Sequence, residues 1–420
     1  MAKLRIKNFG PITYGFDSID GFIEFKKYSI FIGDQGTGKS TVAKIFSVCS
    51  WLEKAFFRSD YDVDSFEVSD FEELCRNQLL ETSFNKDTEL EYIGAAYHFI
   101  YKESSFIVEE MPETIKSYLR PKIMYIPSER NILSVVKNVD ELDNIPPMLR
   151  LLRRRYLQAG EYLKGNGEFN LPLSGYKAFV NKSNGETFIQ YEKNEKLVPL
   201  ICASSGLQSI VPSSLVTDYL ASLSTVNTLE KVRILNDKTY QQLKLSLESE
   251  SAQTELERYV TSGISKSISE KSLAEIKAAA NKFTNARFMN VVEEPEQNLF
   301  PDSQMKNIYF LMSAVNRNLN NSIVITTHSP YILSDITLAA KAYFLLEKGV
   351  PKERIEKIVP VNSTVDGEKL VVYETQRNGS IKKLDSYDNL PSDENLLNMA
   401  MAQGNELFAD LIDLEQEFGV

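Results

Sequence analysis

Residues Gly33-Asp34-Gln35-Gly36-Thr37-Gly38-Lys39-Ser40 fit the pattern G-x-x-x-x-G-K-[ST] at every fixed position, and Thr41 continues the segment. These residue types suit a polyphosphate. Glycines let backbone N–H groups turn inward with no Cβ in the way. Lys39 reaches the outer phosphates, and the Ser40 hydroxyl can ligate Mg²⁺. The bland alternative is a chance glycine-rich turn. Against it, the apolar run 28–32 leads in, and the helix-like run 41–46 leads out. A helix N-terminus favours an anion. The sequence therefore predicts a nucleotide site over Gly33–Thr41, with ATP and Mg²⁺ as its ligands.

Hydrolysis also needs an acid to help hold the metal and a base for the attacking water. The apolar run 288–292 is followed at once by Glu293-Glu294-Pro295-Glu296. Glu293 takes the metal-facing position with Ser40, and Glu294 is the candidate base; the alternative is an exposed acidic turn. The next apolar run, 323–325, leads into Thr326-Thr327-His328-Ser329-Pro330. A histidine at such a strand tip can donate to a γ-phosphate oxygen and orient water, although a lone histidine is more often a packing residue. His98 has no such context and is read as structural. A fourth piece is Ser204-Ser205-Gly206-Leu207-Gln208. Alone it is a weak signal. Placed before a helix, the hydroxyls of Ser204 and Ser205, the Gly206 N–H and the Gln208 amide suit a γ-phosphate. It lies far from the phosphate loop in sequence, so it could complete the site of a second subunit.

Positioning these groups takes an α/β core. Residue patterning predicts strands at 4–12, 21–31, 89–108, 122–126, 288–292, 322–326 and 342–346. It predicts helices over 41–57, 147–163, most of 215–282, and 394–418. Hairpins are expected within 187–199 and around Asn378-Gly379. The expected divisions are an N-terminal ATPase lobe at 1–135, a mainly helical subdomain at 136–285, core strands at 286–350, and a hairpin and helix at 351–420. The chain has 420 residues, 43% of them apolar and 25% charged, which is ordinary for a globular protein. No stretch is long and apolar enough to span a bilayer, and the first ten residues lack a signal-peptide core. Cys49, Cys75 and Cys202 are scattered without ligand spacing, so a cytoplasmic setting with no membrane partner is expected. The net charge of −11 speaks against whole-surface attraction to nucleic acid. Arg150, Arg153, Arg154 and Arg155 form the densest basic run, read first as a solvated or ion-paired helix face.

Taken together and in order, the opening Leu4-Arg5-Ile6-Lys7-Asn8-Phe9-Gly10, the phosphate loop, the 204–208 signature-like motif, the acidic strand end and the switch histidine resemble the ABC-class ATPase heads of the SMC and RecF branch. The Glu-Glu-Pro-Glu and Thr-His-Ser-Pro forms are similar to OLD-like and related bacterial defence ATPases. Residues Tyr125 to Asn131 look like that branch too and occupy the Q-loop position; no glutamine stands there, which leaves Glu129 or Arg130 as the stand-in. The signature departs from LSGGQ at Ser204 and Leu207. The resemblance implies an ABC-type α/β head, a mixed sheet with a phosphate-loop core and a helical insertion. It also implies a head-to-tail homodimer or higher oligomer, with Ser205 and Gly206 of one subunit closing ATP held by Lys39 of the other.

The chain is too short for SMC coiled-coil arms, and the residues after His328 are too few for a TOPRIM nuclease domain. A short head without a nuclease resembles the ATPase subunits of two-component anti-phage systems, that of PARIS in size and layout and that of Septu next. This implies a separate TOPRIM or HNH nuclease effector and a phage-encoded trigger. Two other readings stand beside it: a RecF-like repair ATPase gripping DNA between closed heads, and a structural module that binds nucleotide and scarcely turns over. The C-terminal helix around 396–414 is either a partner surface or a cap on the core.

Overall fold

The runs Tyr28–Gly33 and Ser322–Thr327 carry apolar centres and are buried on both faces, as strands covered on each side must be. They sit at the centre of a seven-stranded sheet in a computed structural model that describes residues 2–136, 145–181, 183–194, 196–263 and 268–418. The strand order is Gly15–Phe16, Ser380–Lys383, Leu370–Thr375, Tyr28–Gly33, Ser322–Thr327, Arg287–Glu293, Pro121–Ile126. The last five are mutually parallel, whereas Ser380–Lys383 returns antiparallel through the Asn378-Gly379 turn. The fold is thus α/β with a mixed sheet around the phosphate loop, as expected. Register matters for function: Thr327 pairs with Ile32 and Glu293 with Thr326. The C-terminal ends of three adjacent strands therefore finish level, at one edge of the sheet.

Alternate residues feed two cores. On one face Ile30, Ile126, Val292 and Ile325 meet the helices Pro147–Asn166, Ser205–Thr225, Pro301–Asn316 and Pro330–Glu347. On the other, Phe31, Val291, Val324 and Tyr373 meet the helix Lys39–Phe57 and a five-stranded antiparallel sheet. That sheet runs Ile23–Phe25, Ala2–Lys7, Glu89–Ile93, Tyr97–Lys102, Ser105–Glu110. A four-stranded sheet within 168–199 has a small core of its own with Ala159, Ile210 and Leu215.

The long helical region is several short helices. Thr228–Arg233, Asp237–Leu245, Glu250–Ser262 and Glu270–Ala280 share a core of Leu243, Leu256 and Ile276. Each begins at a capping side chain, Asn227, Asn236, Ser249 and Ser269, that accepts a backbone N–H of the first turn. The helical expectation at 264–267 lies outside the described residues. Two expectations are corrected. Residues 342–346 are not a strand but the last part of the helix Pro330–Glu347. Pro330 opens that helix at its first position, and Ile332, Leu333, Ile336, Ala339 and Ala340 recur at helical spacing on its buried side. The signature-like motif does not precede its helix but forms the first turn, since the helix starts at Ser205.

Candidate functional site

Gly33 ends the central strand where another chain segment comes very close. A Cβ there would sit 2.4 Å from the Thr375 carbonyl oxygen and 2.5 Å from its hydroxyl. Only glycine fits. Gly38 has φ 99°, and a Cβ would press to 2.8 Å from Ile12. The loop is held from below by Thr37, whose Oγ1 donates to the Asp34 carbonyl at 2.7 Å and lies 2.6 Å from Thr375 Oγ1. Lys39 is buried. Its Nζ donates to the carbonyls of Gly33 at 2.9 Å and Asp34 at 2.7 Å, and lies 3.2 Å from His328 Nδ1. Burial draws the Lys39 pKa down to about 8, against the pull of Glu294, Glu296, Asp34 and Glu293. At the loop's outer rim Arg377 Nε donates to Asp34 Oδ2 at 2.7 Å. That guanidinium holds the Asp34 carboxyl below the usual carboxylate range.

The acids stand beside it. Glu293 is 3% exposed. Its Oε2 accepts the Ser128 N–H at 3.2 Å, while its buried Oε1 has no partner among the described residues. An orphaned buried carboxylate oxygen at this position fits a cation ligand. Glu294 has φ 45°, a strained conformation for a non-glycine residue. Its N–H donates to the Thr326 carbonyl at 2.8 Å, and its side chain reaches His328, Oε1 to Nε2 3.4 Å. The hydrogen bond to His328 holds the Glu294 carboxyl below its ordinary range despite burial. Lys39, His328 and Glu294 thus form a row with the imidazole in the middle. Glu296 anchors the switch strand, accepting the Thr327 hydroxyl and the His328 N–H, each at 2.8 Å.

One residue ties these pieces together. Arg130 is 2% exposed, and its guanidinium donates to the carbonyls of Glu293 (2.8 Å), Glu294 (2.7 Å), Pro127 (3.3 Å) and Ser209 (3.3 Å). Of the two Q-loop stand-ins, Arg130 is consumed as this clamp and Glu129 is exposed. Ser209 belongs to the signature helix, which carries Pro212 in its interior. Pro212 has no N–H for the Gln208 carbonyl, four residues back; Ser134 Oγ donates to that carbonyl at 2.7 Å instead. Gly206 lets the same helix approach the turn after Glu296, where a Cβ would lie 2.7 Å from the Asn298 carbonyl.

The strand ends therefore bring together Gly33–Thr41, Glu293, Glu294 and His328. They do not bring in the signature-like residues. Ser204 and Ser205 are exposed, and the Gln208 amide donates to the Ile201 carbonyl at 3.0 Å. None of Ser204, Ser205, Gly206 and Gln208 lines the cavity over the phosphate loop. That cavity, about 970 Å³, lies between Gly33, Asp34, Gln35, His328 and Arg377 on one side and the start of the helix Leu396–Phe418 on the other. Its volume is near the top of the roughly 300–1,000 Å³ range of ligand sites. Sequence reasoning missed Thr375, Arg377 and the cavity-lining face of this helix. Arg377 precedes the recognisable Asn378-Gly379 turn, but nothing in its spacing to Asp34 marked it. Glu296 was visible within the acidic run, though without its role.

Groups of histidine, cysteine and acidic residues arranged as a ready metal cluster are absent among the described residues. No described helix is long and apolar enough to cross a membrane. No curated protein matches the chain. Among solved structures it is similar to an SMC head bound to the C-terminal winged-helix domain of ScpA, at 10% identity and TM-score 0.39, covering 91% of this chain and 96% of that one. It is also similar to the SMC head domain from Thermotoga maritima, at 11% identity and TM-score 0.37, covering 92% and 98%. Likenesses this slight do not bear on function. The profile of the AAA ATPase domain family AAA_15 matches residues 1–288, well over half of the 420. The chain belongs to that family of ATPases.

Proposed function

We propose that this chain is the ATP-driven sensor and scaffold of a two-component anti-phage complex, an ABC-type ATPase that controls a separate nuclease subunit. The observation that carries the ATPase half is the row Lys39–His328–Glu294 beside the orphaned Glu293 carboxylate, gathered at the C-terminal edge of adjacent parallel strands. In this reading Gly33–Thr41 cradle the triphosphate and Lys39 exchanges its carbonyl partners for phosphate oxygens. Glu294 takes the proton of the attacking water, and His328 orients it and donates to the γ-phosphate. Ser40 and Glu293 would hold Mg²⁺, which would neutralise charge on the phosphate oxygens. The exposed tip Ser204-Ser205-Gly206, free of the site in its own chain, serves the nucleotide of a second copy. ATP then favours the closed pair, because only that pair offers both halves of the site.

The defence half rests on the motif forms after Glu293 and around His328. Beyond Gly404 the helix Leu396–Phe418 is the surface offered to the nuclease. Leu397, Ala400, Gly404, Leu407, Leu411, Leu414 and Phe418 recur at alternating steps of three and four along it, and none of the helix is buried. Its charges are all acidic, Glu406, Asp410, Asp413, Glu415 and Glu417. Like charges speak against self-pairing and for a nuclease surface whose apolar groove is rimmed by lysine or arginine.

The test mixes two inactive variants. Lys39→Ala abolishes nucleotide binding, and Ser205→Arg leaves binding intact but blocks hydrolysis in trans. Mixed heterodimers regain one working site, so about half the native activity per dimer returns if sites are shared. Glu294→Gln keeps ATP affinity while slowing hydrolysis about 10²-fold or more, and accumulates closed dimers in size-exclusion chromatography. Phage challenge of cells carrying the chain with its neighbouring gene reads the defence role; protection that survives Lys39→Ala rejects it.

A further inference from the structure

At the opposite end of the parallel sheet from the phosphate loop lies a second cavity, of about 250 Å³. It sits where the helical subdomain meets the ATPase core. Its body is apolar: Leu220 and Leu223 from the signature helix, Val226 and Leu235 from the connection beyond it, and Phe283. Three cations join this wall, Lys122, Lys231 and Arg287, and no acidic residue does. Lys122 starts the edge strand of the sheet and pairs in register with Phe288, next to Arg287.

Lys122 and Lys231 are poorly compensated, whereas Arg287 acts on the buried Glu53 carboxyl. Lys231 Nζ donates to the Asn285 carbonyl at 2.9 Å, and Arg287 Nε to the Leu119 carbonyl at 2.9 Å. Lys122 is half-buried, and its side chain makes no hydrogen bond or ion pair among the described residues. Burial, and after it the positive charges of Arg155, Arg120, Arg154 and Arg58, draw its pKa down to about 8. Lys54, near the end of the helix Lys39–Phe57, is lowered by burial and then by Lys122, Arg120, Arg58 and Arg155. One buried donor nearby also lacks a partner, Arg120 Nε, and Arg120 acts on Lys122. Crowded, desolvated cations cost free energy that an anion recovers.

We propose that this cavity is a binding site for a small apolar-bodied anion, an acyl or aromatic group carrying a phosphate or carboxylate. The apolar body packs on Leu220, Leu223 and Phe283, and the anionic head meets Lys122, Lys231 and Arg287. The occupant touches both the helix that begins at Ser205 and the strand that ends at Glu293. It therefore links the helical subdomain to the elements that form the ATP site. The site stands independently of the defence reading.

Calorimetric titration of the full chain with hexyl phosphate tests it. Saturable one-site binding is expected, with hexanol and inorganic phosphate each about tenfold weaker or worse, because each lacks half of the recognition. Lys122→Met and Lys231→Met should each weaken binding about tenfold, while Lys122→Arg stays within about threefold. Lys39→Ala should leave it unchanged. The proposal is overturned if hexyl phosphate fails to saturate at millimolar concentration, or if binding is indifferent to both methionine variants. Loss in Lys39→Ala assigns the binding to the phosphate loop and overturns it as well. So does a duplex oligonucleotide that displaces hexyl phosphate through the same lysines, because the cations then serve a polyanion on the surface.

Discussion

Arg130 shows how one side chain can set the geometry of a site it does not line. A planar guanidinium has several N–H donors in a rigid fork, and here they reach four carbonyls on three segments. Two of those carbonyls flank the strained Glu294. The clamp therefore helps hold Glu294 at φ 45°. Lysine is a point charge and cannot span the same set. Arg130→Met should lower stability by about 3–5 kcal/mol by leaving buried carbonyls unpaired. It should also cut ATP turnover more than tenfold under conditions where the variant is still folded, as Glu294, the proposed base, loses its aim. Arg130→Lys should rescue little. Urea unfolding and steady-state turnover on the same samples read both effects; a variant with native turnover would remove Arg130 from the positioning role.

The helix Pro330–Glu347 carries a cost within its own span. Asp335 lies on its buried side, 8% exposed, and its Oδ2 has no partner among the described residues. Burial pushes its pKa up to about 6 from 3.8. A carboxyl raised in the folded state favours the protonated form, so it weakens folding above about pH 6, and the penalty fades as pH falls toward 3.8. Asp335→Asn keeps the shape and removes the charge. Its stability should exceed that of the native chain by about 2–3 kcal/mol at pH 7.5 and by about half as much at pH 5. Equal unfolding free energies at pH 7.5 would mean that the carboxylate is compensated. The same helix explains why 342–346 misleads when read alone. Five apolar residues fit a buried strand or a buried helix end equally well, and only the unbroken helical pattern back to Pro330 separates them.

Across the whole molecule, the C-terminal helix meets the cavity over Gly33–Gln35 at one end and solvent along the rest. Its start is tied down where the Leu396 N–H donates to Glu374 Oε2 at 2.8 Å, and Leu397 packs on the main core. Beyond Gly404 its apolar residues stay exposed, Leu407 at 58% and Phe408 at 65%. Ending the chain after Gly404 removes that surface and spares the anchor. The melting temperature should change by no more than about 2 °C, because no buried residue is lost. Nucleotide affinity should stay within about threefold, whereas co-purification of the product of the neighbouring gene should be lost. Retention of that partner by the shortened chain would move the docking surface elsewhere.

The phosphate loop and the strand-borne acids were legible in the sequence because their chemistry is written in consecutive residues. Glycines at Gly33, Gly36 and Gly38, then Lys39 and Ser40, specify a local backbone path whatever lies around it. Apolar runs ending in Glu293-Glu294 and in Thr327-His328 likewise announce buried strands with polar, titratable side chains at their tips. Which strands lie side by side was not legible. Asp34 meets Arg377 across 343 residues of chain, and Tyr373 reaches Glu24 across 349. Such pairs depend on the order and register of the sheet, which many long-range contacts decide jointly and no short window contains. The same holds for Arg130, whose carbonyl partners have no sequence signature, and for the helix over the cavity, whose apolar pattern is equally compatible with a buried or a solvent-facing position.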